Sequence, residues 1–251
     1  MVNIIILAGE QAIKGLEDSG NKALYKINGK MMIEYVIDAV KMSSKVKKVI
    51  VIGPHDKLER HLSGKVDAVI DSRGTVMDSL AAGIEYLNRG NTGENILICS
   101  CDMPFITTEA IDDFISRAER LDVDLCYPIV EKSLNLSKYP DMKRTYVKMK
   151  EGSFTGGNVF YMNPGILEKC FVLADRLVEA RKNPLKMARI LGFTFMIRLI
   201  TGTLTISAVE RKVHRLLGIK AKVVISAYPE IGQDIDKYSD LSAALNYLGR
   251  Y

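Results

Sequence analysis

Histidine and cysteine are sparse in this chain, and neither is arranged to capture a metal. The three histidines, His55, His61 and His214, lie far apart, and none belongs to an H-E-x-x-H pattern. That excludes the common zinc-hydrolase arrangement. The four cysteines, Cys99, Cys101, Cys126 and Cys170, do not form a pair of pairs. Alternation puts Cys99 and Cys101 on one face of a single strand, and buried thiols in a reducing cytosol are expected. Also missing are a G-x-S-x-G elbow, the dinucleotide glycine fingerprint and the P-loop's closing Lys-Ser/Thr pair. A serine hydrolase of the elbow class is therefore excluded, and neither glycine-rich nucleotide motif applies. No stretch reaches the roughly 20 apolar residues a membrane span needs. The opening "VNIIILAG" lacks a basic leader and meets glycine too soon for a signal peptide, so a cytoplasmic protein is expected.

What is present is an ordinary globular composition: 251 residues, 47% hydrophobic and 26% charged. One domain of about 200 residues with an elaboration is expected, held by its core. A net charge of +5 and a pI near 8.9 suit an anionic ligand such as a nucleotide or phosphate. Without a long basic run or a helix-turn-helix signature, nucleic acid is not an expected partner.

"VNIIILA" is continuously apolar and rich in β-branched residues, as a central strand covered on both faces would be. Helical "MMIEYVIDAVKMS", strand "KKVIVIG", helical "DKLERHLS", strand "VDAVID", helical "TVMDSLAAGIEYLNRG", strand "NILICSCD" and helical "TTEAIDDFISRAERL" follow. This alternation predicts a doubly wound α/β sheet, which binds ligands beyond the carboxyl ends of its strands. After "DVDLCYPIV" the polar run from Glu131 to Phe154 reads as a long loop or β excursion, and "GGNVFYMNP" as a strand. Residues 166–222 are helical in period, broken at Pro184, and form an insertion between residues 1–165 and 223–251. Within it "FTFMIRLITGTLTI" is read first as a helix buried against the sheet or a partner subunit. A surface for a greasy substrate or a membrane face is the alternative.

Several positions could carry chemistry. Gly9 in the turn after the first strand permits close backbone approach to a ligand, although a plain strand-to-helix turn also accepts glycine. Lys22 and Lys26 could follow charge moving onto a leaving pyrophosphate, or simply face solvent. Asp102 ends the strand "ILICSCD", where a carboxylate can hold Mg²⁺, or can cap the following helix. Asp234 and Asp236 alternate on one side of an extended segment and would bracket that metal if they pass near Asp102. Asp240 reads as an N-cap. Gly74 and Ser79 could admit and read a flat base, while close helix packing would select the same small residues. Gly156 and Gly157 offer backbone approach to a second substrate.

Together, "IIILAGE", "NKALYKINGKMMIEYVIDAV", "ICSCDMPFIT" and "QDIDKYSDLSAAL" resemble the MobA-like nucleotidyltransferases. The resemblance implies a Rossmann-like three-layer sandwich of the nucleotide-diphospho-sugar transferase, or glycosyltransferase A-like, type with a mostly parallel mixed sheet. It implies transfer of a nucleoside monophosphate from an NTP to a phosphorylated sugar, alcohol or cofactor precursor, with release of pyrophosphate. On this resemblance Leu7, Ala8 and Gly9 frame the nucleotide, Lys22 meets its phosphates, Asp102 binds Mg²⁺, and Asp234 or Asp236 supplies a second carboxylate.

Two features depart from the family pattern. Glu10 replaces the second loop glycine, and "QAIKGLEDSGN" carries no arginine, leaving Lys14 as a substitute cation. Rival readings are glycosyl transfer from a nucleotide sugar, and nucleotide binding without turnover in a regulatory or structural protein. The insertion is where acceptor choice, homodimer formation or a lipid contact would reside.

Overall fold

A computed structural model describes residues 1–16, 20–88, 93–180 and 183–249. Strand β1 (Val2–Leu7) is the central strand its composition predicts, with Ile4, Ile5 and Ile6 wholly buried. A 3-10 turn (Lys22–Leu24) and the hairpin β2 (Lys26–Ile27) and β3 (Lys30–Met31) lead into α1 (Met32–Lys41). The chain then alternates through β4 (Val46–Gly53), α2 (His55–Leu62), β5 (Ala68–Asp71), α3 (Val76–Asn88), β6 (Ile96–Ser100) and α4 (Thr108–Leu121). The expected helix through Gly90 has its last two residues outside those described.

Strands β5, β4, β1 and β6 are parallel neighbours in that order. From β1 the chain moves outward to β4 and β5, then crosses back through α3 to β6 on the other side. The reversal opens a crevice at the carboxyl ends of β1 and β6, the usual ligand position in such sheets.

Strand β7 (Leu125–Glu131) leads to α5 (Lys132–Lys138), β8 (Val147–Met149), β9 (Gly152–Gly156) and β10 (Val159–Met162). The run expected as a loop or β excursion thus holds a short helix as well as two strands. In α5 only Asn135 is buried, so it lacks the apolar stripe by which a helix is legible. β10 is antiparallel to β6 and β7, which makes the sheet mixed.

The insertion consists of α6 (Leu167–Ala180), α7 (Pro184–Leu191), α8 (Phe193–Ile200) and α9 (Ile206–Leu217). Then β11 (Ala221–Ser226) pairs in parallel with β7, and α10 (Tyr238–Leu248) closes the domain at Gly249. The strand begins two residues before the expected boundary at 223. The reading of α8 as a helix buried against the sheet is corrected, because none of its residues is buried. Its apolar residues run round most of the helix, and only Phe195 and Leu199 turn toward the sheet, lining a cavity with Tyr127 and Phe154. Asp240 is not an N-cap but lies at the third position of α10, where its carboxylate accepts from the amides of Asp236 (3.2 Å) and Lys237 (3.3 Å).

Two apolar clusters line the faces of the sheet. One joins β1, β4 and β6 to α1 and α4, and the other joins them to α3. A third packs α10 and Ile235 against the hairpin and Phe105.

Candidate functional site

Backbone contacts assemble the crevice before any side chain is considered. The amide of Ala8 donates to Ile52 and that of Cys101 to Leu7, so β4, β1 and β6 end together. The amide of Lys22 donates to the carbonyl of Gln11, which draws the 3-10 turn onto the loop leaving β1. Asn21 caps that turn by accepting from Ala23 N–H at 2.9 Å. On the far side, the amide of Ile235 donates to the carbonyl of Asp102 at 3.0 Å. Ile235 is fully buried, so alternation turns Asp234 and Asp236 back into the crevice.

The side chains converge on charge. Lys22 Nζ contacts Asp102 Oδ2 directly and lies 3.2 Å from Asp236 Oδ1. Ser100 Oγ donates to the other oxygen of Asp102. Asp102, Asp234 and Asp236 bring one carboxylate oxygen each within 4.8 Å of one another. Asp102 is the enclosed member, with 5% of its side chain exposed, whereas Asp236 is 54% exposed and open to an incoming ligand. Burial works against the ammonium of Lys22, yet the charge and hydrogen bond of Asp102 outweigh it, with Asp236 adding to them. The pKa of Lys22 rises and the group stays charged. Asp234 is pushed up to about 6, first by burial and then by the charges of Asp102 and Asp236, against the opposing pull of Arg144 and Lys22.

Arg144 is the residue that sequence reasoning missed. Its guanidinium pairs with Asp234 Oδ1 at 2.5 Å, contacts the Asp234 carbonyl and donates to Gln233 Oε1 at 3.1 Å. It comes from the polar run before β8, where no local pattern separates it from neighbouring surface cations. The signature-loop arginine is therefore not the only way a guanidinium can enter this site. Part of that loop, residues 17–19, lies outside those described, and Lys14 is exposed, with its backbone bridged to the segment at Asp236 and Tyr238. Glu10 turns away from the crevice and pairs with Lys57 on α2.

The remaining sequence candidates divide. Ala8 is buried, and a Cβ at Gly9 would meet nothing within 4 Å, so this glycine leaves open space at the crevice. Leu7 is partly exposed at the strand end. Lys26 is exposed on β2 and makes no ion pair among the described residues. Ser79 is buried, and its hydroxyl both accepts from and donates to the backbone of Arg73. Gly74 takes a positive φ of 35° in the same loop. Gly156 and Gly157 are required by the protein itself. A Cβ at Gly156 would meet Tyr127 Oη at 2.0 Å, and one at Gly157 would meet Pro128 Cγ at 2.7 Å. Internal packing by itself therefore requires a glycine at both positions.

The donor set fits a hard divalent cation. Three carboxylates face one point, and a positive group, Lys22, has been drawn between two of them. Two buried carboxamide donors also lack partners among the described residues: Asn21 Nδ2 beside Lys22, and Nδ2 of Asn158, whose backbone carbonyl accepts from the amide of Ser100. Buried donors without acceptors are costly, and oxygens of a bound anion would satisfy them.

The family model for a MobA-like NTP transferase domain matches residues 4–182, which is most of the chain. The chain belongs to the MobA-like NTP transferase family. Among MobA-like relatives, a probable molybdenum cofactor guanylyltransferase of Thermococcus gammatolerans is 24% identical over 186 residues, covering 71% of this chain and 89% of that one. A hypothetical transferase from Thermus thermophilus has a solved structure that is 31% identical, with a TM-score of 0.82 over 96% of this chain and 99% of the other. A CMP:2-keto-3-deoxy-manno-octonic acid synthetase solved with CTP shares the fold at 14% identity, with a TM-score of 0.65 over 100% of this chain and 99% of the other. The MobA-like chain is a nucleotidyltransferase with the mixed sheet of the nucleotide-diphospho-sugar transferase fold.

Proposed function

We propose that the protein transfers a nucleoside monophosphate from an NTP to a small phosphorylated sugar, alcohol or cofactor precursor, with Mg²⁺ as its cofactor. The observation that carries this reading is the meeting of Lys22 with Asp102 and Asp236 at the carboxyl ends of β1 and β6, beside the open face of Gly9. Such a pocket can receive a triphosphate that brings its own counter-ion.

In the proposed step an oxygen of the acceptor phosphate attacks the α-phosphorus in line. A new P–O bond forms there as the bond to the β-phosphate oxygen breaks, and pyrophosphate departs with that electron pair. The acceptor is already anionic, so no general base is required. Asp102, with Asp236 or Asp234, would hold magnesium, which when bound neutralises phosphate charge. The ammonium of Lys22, kept protonated by its acidic neighbours, offsets charge on the departing pyrophosphate. Gly9 and the capped turn at Asn21 hold the backbone close to the phosphates, so orientation supplies part of the rate. Arg144 holds Asp234 in register, and Asp240 holds the amide of Asp236.

The test is pyrophosphate release on incubation with each of the four ribonucleoside triphosphates, Mg²⁺ and a panel of sugar and alcohol phosphates, after a thermal-shift screen to find the bound base. Release with one base and one acceptor class is expected. Nucleoside diphosphate release from a nucleotide sugar, or nucleotide binding without turnover across the panel, would overturn the reading.

A further inference from the structure

The insertion holds a second concentration of charge, in a wall that includes none of the crevice residues. Helices α8 and α9 border a concavity of about 330 Å³ lined by Arg198, Arg211, Lys212 and Arg215, with no acidic side chain in its wall. None of the four cations has an ion pair among the described residues. The one acid of α9, Glu210, faces away, accepting from Lys222 Nζ at 2.7 Å and from Val223 N–H at 3.0 Å. Arg211 and Arg215, four residues apart on one helix, repel each other. Lys212 Nζ lies 3.8 Å from where a Cβ of Gly192 would stand, at the junction where α7 ends and α8 begins. No acidic side chain in that wall offsets the four cations, so an anion entering the concavity would meet unopposed positive charge.

Beside it runs an apolar stripe. Phe193, Ile197 and Ile200 recur at i, i+4 and i+7 on α8 and are 71%, 46% and 80% exposed. Cations next to an exposed apolar helix face are the pattern of a surface that lies on an anionic bilayer. A second copy of this chain is a poor match, because a two-fold contact over the stripe would bring four uncompensated cations toward their own equivalents. Among the described residues no helix is long and apolar enough to cross a membrane.

We propose that α8 and the α8–α9 concavity seat the protein on an anionic lipid bilayer. Phe193, Ile197 and Ile200 enter the headgroup region, and the four cations hold lipid phosphates. This proposal does not depend on which acceptor the transfer site uses.

The experiment is cosedimentation of the full chain with vesicles of phosphatidylcholine alone or mixed with phosphatidylglycerol. Binding to the mixed vesicles only, weakening as salt is added, is expected. Two double variants, Arg211→Glu with Arg215→Glu and Phe193→Ser with Ile200→Ser, should each lower the partition coefficient by about tenfold or more. Circular dichroism and pyrophosphate release with a soluble acceptor should stay unchanged. Absence of binding to mixed vesicles at low salt would overturn the proposal, as would binding that both variants retain. A dimer in sedimentation that Ile200→Ser dissociates would assign the stripe to self-association instead. Thermal stabilisation by soluble tripolyphosphate, lost in Arg215→Glu and unaccompanied by vesicle binding, would assign the cations to a free phosphate. A failure of nucleotidyl transfer would appear in the pyrophosphate assay and leave the vesicle result unaffected.

Discussion

The crevice and the insertion handle charge in opposite ways. At the crevice each ionised group has a partner: Lys22 with Asp102 and Asp236, and Arg144 with Asp234. Across the concavity of the insertion four cations have none among the described residues. The body around the crevice is built on fully buried side chains such as Phe114, Ile4 and Met32, whereas α8 and α9 bury no residue. Pairing and burial make the crevice a site that keeps its geometry without a ligand. The insertion's exposed, unbalanced surface gains most from meeting something else.

The contrast should be plainest in stability. Phe114→Ala, which empties a buried position under the sheet, is expected to cost about 3–5 kcal/mol in a denaturant titration. Ile200→Ser on the open stripe should stay within about 0.5 kcal/mol of the unaltered protein. Equal costs would mean that α8 is packed in solution, which would erase the distinction between the two regions.

Next in size is the effect of charge removal at the crevice. Asp102→Asn keeps the volume but removes the enclosed carboxylate, and pyrophosphate release should fall by about 10²–10³-fold. Turnover that persists at all Mg²⁺ concentrations would remove Asp102 from the metal's ligands. A smaller loss is expected from Asp240→Ala, which frees the amides of Asp236 and Lys237. About 1 kcal/mol of stability should go, by loss of the helix-end contact, and the Mg²⁺ concentration needed for half-maximal turnover should rise. Unchanged metal dependence would limit Asp240 to holding the helix.

The smallest effect concerns pH. The carboxyl of Asp234 has a folded pKa of about 6, above its unfolded value, so its protonated form adds stability at low pH. That contribution is lost as pH rises from about 4 through about 6. Melting temperatures recorded with and without Mg²⁺ should therefore diverge more at pH 7.5 than at pH 5, by a few degrees. A constant gap would show that Asp234 does not take part.

Much of this was legible in the chain. Short apolar runs ending on Gly9 and Asp102 mark both edges of the crevice, and the alternation in Asp234-Ile235-Asp236 shows which two of the three face it. The hidden parts have physical reasons. Arg144 sits among other cations with no period to single it out, and only the fold brings it to Asp234. For the glycines at 156 and 157 the sequence could not separate a ligand's close approach from packing on Tyr127 and Pro128, which makes the same demand for no side chain. The exposure of α8 was misjudged because hydrophobicity alone does not say whether a helix has a neighbour.

The clasp between Ile235 and Asp102 has one more outcome, for the order of biosynthesis. A nascent chain that has not yet reached residue 234 carries Asp102 but has neither Asp234 nor Asp236 to face it, so the acidic cluster is assembled late in synthesis.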